Sequence, residues 1–279
     1  MKTIDTFEIY KAIKQLALNA CCNVNKDVVD CLENAQKTEQ SPSAKFALET
    51  IIKNNLIASQ NNLPACQDTG MAVVFCEIGQ EVQLVGDFLH DAINRGIKEA
   101  YAEGYFRKSV LDPLSRQNTK DNLPAVIHTE ITKGDKVKLH FLAKGFGSEN
   151  MSKVFMLTPS QGVDGIVNAV LQTVKEADSN PCPPIIVGVG IGGTFEKCTI
   201  LAKKCLLREV GSTNPDQTLN QLEKDLFDKI NALGIGAQGF GGNNTCLAVF
   251  ASKYPTHIAG LPVAINIQCH CARHGSIEL

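Results

Sequence analysis

The sequence predicts an α/β protein, with a helical N-terminal head, mixed α/β layers behind it and a C-terminal β-hairpin. Three observations lead there. Apolar residues recur at helical spacing over residues 1–60. From "MAVVFCEIG" onward, short β-branched runs alternate with helical patterns. No fixed repeat or low-complexity linker breaks the alternation.

In the head, Ile9, Ile13, Leu16 and Ala20 share one helical face, and Leu48, Ile51, Ile52 and Leu56 share another after the start signal "SPS". A strand follows near 72–78 and a helix near 87–103. "AVIHTEITKGDKVKLHFLA" then reads as a hairpin turning at "KGD". A helix near 163–178, a strand "PIIVGVG", and the helices "FEKCTILAKKCLLREVG" and "TLNQLEKDLFDKINALG" come next. The closing hairpin is "TCLAVFASKYPTH" and "LPVAINIQCHCARH", joined by "IAG".

Composition narrows the class of function. With 44% hydrophobic and 20% charged residues the chain can build a sizeable core, and a net charge of -2 offers no electrostatic footprint for nucleic acid or an anionic membrane. No apolar run is long enough to span a bilayer, and the first helical segment lacks a signal-peptide layout. A cytoplasmic location is expected.

Eleven cysteines, an odd count without a secretory signal, point to reduced thiols rather than a disulfide framework. Cys198 and Cys205 lie among apolar helix residues, and Cys31, Cys76 and Cys246 in apolar or amphipathic runs, which is the ordinary setting of buried cysteine. Cys21 and Cys22, adjacent on a helix, point in different directions. Three thiols sit where core packing does not explain them. Cys66 is in the turn "ACQDTG", Cys182 is between prolines in "NPCPP", and Cys269 ends an apolar strand. Three thiolates far apart in sequence could hold a 4Fe–4S cluster with one iron left open, or could be loop cysteines with no common role.

"GVGIGG" matches a dinucleotide fingerprint with Gly188, Gly190 and Gly193 between a strand and a helix, so a nicotinamide-dependent oxidoreductase is the rival reading. The ribose-binding strand with its acidic end is missing, and Glu209 falls at a helix end instead. A second glycine cluster, "GIGAQGFGGNN", lacks the G-K-[ST] of a P-loop.

"PACQDTG", "KGFGSENMS", "NPCPPIIVGVGIGGT", "GAQGFGG" and "PTHIAGLPVAINIQCHCARH", in this order, resemble the class I fumarate hydratases and the related tartrate dehydratases, and most closely the α subunit of their two-subunit forms. The resemblance covers essentially residues 1–279 as one α-subunit domain. It implies a 4Fe–4S cluster on Cys66, Cys182 and Cys269. It also implies a hydro-lyase acting on a small dicarboxylate, fumarate with (S)-malate first and tartrate as the alternative.

By the same resemblance Asp68 and His257 are catalytic candidates, and Gln67, Arg107 and Gly147 substrate-binding ones, with Glu149 and Asn150 lining the site. The smaller swivel domain of single-chain relatives is not expected here, so a separate β subunit is, in an α2β2 assembly. The chain departs from the family pattern in two places. Lys120 stands where the family commonly has glycine, and Cys271 follows Cys269.

Overall fold

A computed structural model describes residues 2–279. The helical head is present, preceded by a short strand: β1 (Lys2–Asp5), α1 (Thr6–Cys22), α2 (Lys26–Thr38) and α3 (Pro42–Asn61). Asp5 starts α1 by accepting a hydrogen bond from the Phe7 N–H, one of the donors a helix start leaves unpaired. Behind the head come β2 (Met71–Gly79), β3 (Val82–Val85), α4 (Leu89–Glu103), β4 (Val126–Thr132), β5 (Val137–Lys144), α5 (Phe146–Glu149), β6 (Lys153–Leu157) and α6 (Gly162–Ala177). The chain continues through β7 (Ile185–Gly192), α7 (Phe195–Cys205), α8 (Gln217–Asn231), β8 (Cys246–Tyr254), β9 (Leu261–Gln268) and β10 (His274–Glu278). The mixed α/β class therefore stands. Among the described residues, no helix is long and apolar enough to cross a membrane.

The chain divides into two compact units. Unit 1 comprises residues 2–25, 55–146 and 273–279, and unit 2 comprises 26–54 and 147–272.

In unit 1 a four-stranded sheet has the order β10-β5-β2-β4, with β2 parallel to β4 and antiparallel to β5. Ala72, Val74, Cys76 and Ile78 of β2 and Val137, Leu139, Phe141 and Ala143 of β5 point to one face. There they join Ile9, Ile13 and Ala17 of α1 and Ile93, Ile97 and Ala100 of α4 in one core.

Unit 2 has the order β6-β9-β7-β8, with β7 parallel to β8 and antiparallel to β9. Val187, Val189, Ile265 and Ile267 face the core shared with α6 and α8. The opposite face of β7 carries Gly188 and Gly190, against which α7 packs. A Cβ on either would stand 2.1 Å from the Ala202 carbonyl oxygen or 1.9 Å from that of Cys198. Those glycines lie inside the strand and serve close helix–sheet packing. Together with the single parallel pair in this sheet, they remove the basis for a dinucleotide fingerprint.

Both expected hairpins are corrected. β4 and β5 do not pair with each other, because β2 lies between them, and β8 and β9 are likewise separated by β7. The reason is burial. β2 and β7 are continuous apolar runs buried along almost their whole length, and such strands take the sheet centre. The last expected strand also breaks at Gln268, and β10 joins the unit 1 sheet beside β5.

Candidate functional site

In each unit the candidate residues other than His257 gather at one end of the sheet, where the central strand begins and its antiparallel neighbour finishes. In unit 1, Cys66, Gln67 and Asp68 lie in the loop entering β2, and Met71 of β2 pairs with Lys144 at the end of β5. The loop is laced by side chains. Asp68 Oδ1 accepts from the Gly70 N–H at 3.0 Å and Oδ2 from the Phe146 N–H at 2.8 Å. Thr69 Oγ1 donates to the Arg107 carbonyl at 3.1 Å, which ties the Arg107 backbone to the same loop while its side chain stays exposed. The Tyr101 hydroxyl reaches the carbonyls of Thr69 and Gly70, and Asn122 Nδ2 reaches that of Gly70.

Two cations of this end went unassigned by sequence reasoning. Arg273 and Lys144 are each 1% exposed. A Cβ on Gly145 would stand 3.2 Å from Asp68 Oδ2 and 3.3 Å from Arg273 Nη2, so the bare backbone of Gly145 leaves room for both groups. Both cations lie inside quoted motifs, "KGFGSEN" and "CHCARH". The readable signal was a charged residue at the end of an apolar strand, a position that burial makes expensive unless the charge is used.

In unit 2, Cys182 lies three residues before β7 and Cys269 directly after β9, and the register Ile186 to Gln268 places them at the same sheet end. The residue after Cys269 meets the Cys182 turn, since the His270 N–H donates to the Cys182 carbonyl at 3.4 Å. Gly147 faces the same turn, its Cβ position 3.6 Å from the Asn180 carbonyl oxygen. That is ordinary contact, so sterics alone do not demand glycine there. Glu149 accepts from Lys203 and from Asn266 Nδ2.

His257 is placed elsewhere. It is exposed in the loop between β8 and β9, at the far end of β7, which spans eight residues or roughly 25 Å of extended chain. Its ring Nδ1 accepts from the Ala259 N–H. Within unit 2 it is not brought together with Cys182 and Cys269.

The eleven thiols sort by environment. Seven are buried, namely Cys21, Cys22, Cys76, Cys198, Cys205, Cys246 and Cys271. Burial pushes Cys21, Cys76 and Cys205 up to about 12 and raises Cys246 further. Cys31, half-buried on α2, donates to the Leu247 carbonyl and is also raised by burial. Cys66, Cys182 and Cys269 remain, all outside helices and strands.

A family model described as Fumarate hydratase (Fumerase) matches residues 10–278. The chain belongs to the fumarate hydratase family. A protein of Methanocaldococcus jannaschii, provisionally named an L(+)-tartrate dehydratase subunit alpha, is 42% identical over 272 residues, 95% of this chain and 95% of its own length. The L(+)-tartrate dehydratase subunit alpha of Escherichia coli is 31% identical over 257 residues, covering 91% of this chain and 84% of its own length. That of Shigella sonnei is 31% identical over 255 residues, covering 90% and 84%. The chain is thus a hydro-lyase family member of the α-subunit type.

Three loop thiols of this fumarate hydratase family member have the donor chemistry of iron–sulfur ligands. Its three non-core thiols match the number needed for a cubane with one open iron, and two of them share one sheet end. Among the described residues no three His, Cys, Asp or Glu side chains surround a single metal ion. A cubane does not require that, since each thiolate binds a different iron.

Proposed function

We propose that this chain is the α subunit of an iron–sulfur hydro-lyase acting on a small 2-hydroxydicarboxylate, with L(+)-tartrate ahead of the malate–fumarate pair. The observation that carries this reading is the match to tartrate dehydratase α subunits over nearly the whole chain. The family description itself favours fumarate as the second reading.

Cys66, Cys182 and Cys269 would hold a 4Fe–4S cluster, whose open iron, when bound, supplies a Lewis acid for the departing hydroxyl. The chain's own residues supply the rest. Arg107 offers a planar fork to a substrate carboxylate, and the exposed amide of Gln67 stands beside Cys66. Asp68 is fixed by two backbone donors, one to each oxygen, and would take or hold a proton beside Cys66. Gly147 presents exposed backbone near Cys182. His257 stands apart from Cys182 and Cys269 within unit 2, so it is the weakest catalytic candidate of the set. The assembly is a cytoplasmic α2β2 complex in which a β subunit completes the substrate pocket.

The test is anaerobic reconstitution of the chain with its co-expressed β subunit, followed by kcat/KM measurements on L(+)-tartrate and on (S)-malate. A ratio above about tenfold for tartrate supports the first reading, and the reverse ratio replaces it with the second. In the same complex Asp68→Asn should lower turnover about 10²-fold, the scale of a positioned acid or base. Turnover close to wild type would leave Asp68 as a loop clamp.

A further inference from the structure

The glycine cluster "GAQGFGGNN" has no part in the chemistry above, yet it meets the Cys182 turn directly. Gln238 donates twice to one acceptor, the Pro183 carbonyl, from its backbone N–H at 2.8 Å and from Nε2 at 2.9 Å. Pro183 is the residue after Cys182. Cys182 and Gln238 both hold left-handed backbone, with φ of 55° and 54°, a conformation that costs a non-glycine residue about 1–2 kcal/mol. Residues kept in such conformations need surroundings that over-determine them, and they concentrate at functional sites.

The loop carrying Gln238 is itself anchored. Glu39, 5% exposed just after α2, accepts from the backbone N–H of Asn243 and from Asn244 Nδ2, and also from the N–H groups of Gln40 and Ser41. The loop passes so close that a Cβ on Gly242 would stand 2.3 Å from Glu39 Oε1. Within unit 2, Glu39 thus anchors the glycine-rich loop at Asn243 and Asn244, and Gln238 of the same loop holds the carbonyl of Pro183, the residue after Cys182. On the other side, His270 donates to the Cys182 carbonyl.

We propose that Gln238, on a loop anchored by Glu39, is the positioning residue for Cys182 and sets the direction in which that thiol is presented to the iron–sulfur group. This rests on the reading of Cys182 as a cluster ligand. Partners that orient a ligand are worth about 10–100-fold in metal affinity.

Two variants test it in the full chain. Gln238→Gly removes the Nε2 donor but suits the left-handed backbone, so the fold should hold. Gln238→Glu keeps the shape and replaces the donor by an acceptor. In both, the reconstituted cluster should be lost to a chelator about tenfold faster, and N-ethylmaleimide should label Cys182 of the cluster-free chain at a changed rate. Cys66 and Cys269 should label as in wild type, and the melting midpoint of Gln238→Gly should be unchanged or higher. Wild-type cluster lifetime and wild-type Cys182 labelling in both variants would overturn the proposal. Cys182→Ala separates the two failures: a chain that keeps a full cluster without Cys182 defeats the ligand reading, whatever the Gln238 variants show.

Discussion

In unit 1 the central strand β2 has a parallel neighbour, β4, and an antiparallel one, β5, and in unit 2 β7 stands in the same relation to β8 and β9. A fourth strand extends the antiparallel side of each sheet, β10 in one and β6 in the other. Both sheets present a cysteine-bearing loop where the central strand begins. The fastening differs. Side chains of Asp68, Thr69, Tyr101 and Asn122 hold the Cys66 loop. The Cys182 turn is held at its carbonyls, by the His270 N–H and by Gln238 on a glycine-rich loop. One strand plan can thus place a loop thiol by two unrelated sets of contacts, and the plan alone does not identify the residues that matter.

The comparison breaks most completely at the thiols. Cys66→Ala in unit 1 and Cys182→Ala or Cys269→Ala in unit 2 should each abolish the stable 4Fe–4S spectrum after anaerobic reconstitution, whereas Cys198→Ala and Cys205→Ala should retain it. Iron content and electron paramagnetic resonance decide this. Full retention in any of the first three removes that residue from the ligand set.

The next effect belongs to unit 2. Gly190→Ala drives a methyl group into the Cys198 carbonyl, so it should destabilise the chain by about 1–3 kcal/mol in urea unfolding. In β2 a comparable approach occurs only at its last residue, Gly79, where a Cβ would stand 2.3 Å from the Gly134 carbonyl oxygen rather than under a helix. An unchanged midpoint would mean that α7 can retreat from the sheet.

The smallest effect concerns acid. Burial pushes the Glu39 carboxyl up, but donation from Asn244 and from the N–H groups of Ser41, Asn243 and Gln40 outweighs it and holds the group below its ordinary value. A depressed carboxylate contributes stability that is fully present above the unfolded value of roughly 4.3 and is lost as pH falls through the folded one. Glu39→Gln should therefore flatten the fall of the urea midpoint below about pH 4.3. A variant that follows the wild-type acid limb would show that Glu39's charge contributes nothing.

Much of this was readable in the residues. Periodicity located α1, α4, α6 and α8 closely, and Cys66, Cys182 and Cys269 stood out because proline, glycine and polar neighbours surround them. Sheet order was not readable. "KGD" and "IAG" are good turns, and a local signal cannot reveal that an earlier, more apolar strand will take the place between the two strands they join. Short strands such as β3 and β6, whose residues are mostly half-exposed, carry too little apolar pattern to be seen. The roles of Glu39 and Gln238 depend on contacts between residues 204 and 55 positions apart, which no window along the chain contains. Lys120 holds a φ of 69° in the loop between α4 and β4.

The interleaving of the units has a consequence for how the chain is made and dissected. Unit 2 takes residues 26–54 out of unit 1, and unit 1 recovers its fourth strand only after residue 272. No single cut of the polypeptide yields one unit intact. During synthesis, the unit 1 sheet waits for a strand more than a hundred residues beyond its partner, so its completion comes after most of unit 2 has been made. Truncation from the N-terminal side would strip helices from both units, and truncation from the C-terminal side would take β10 from unit 1 before it reached β9 of unit 2. Point substitution at the loop anchors is therefore the informative way to take this protein apart.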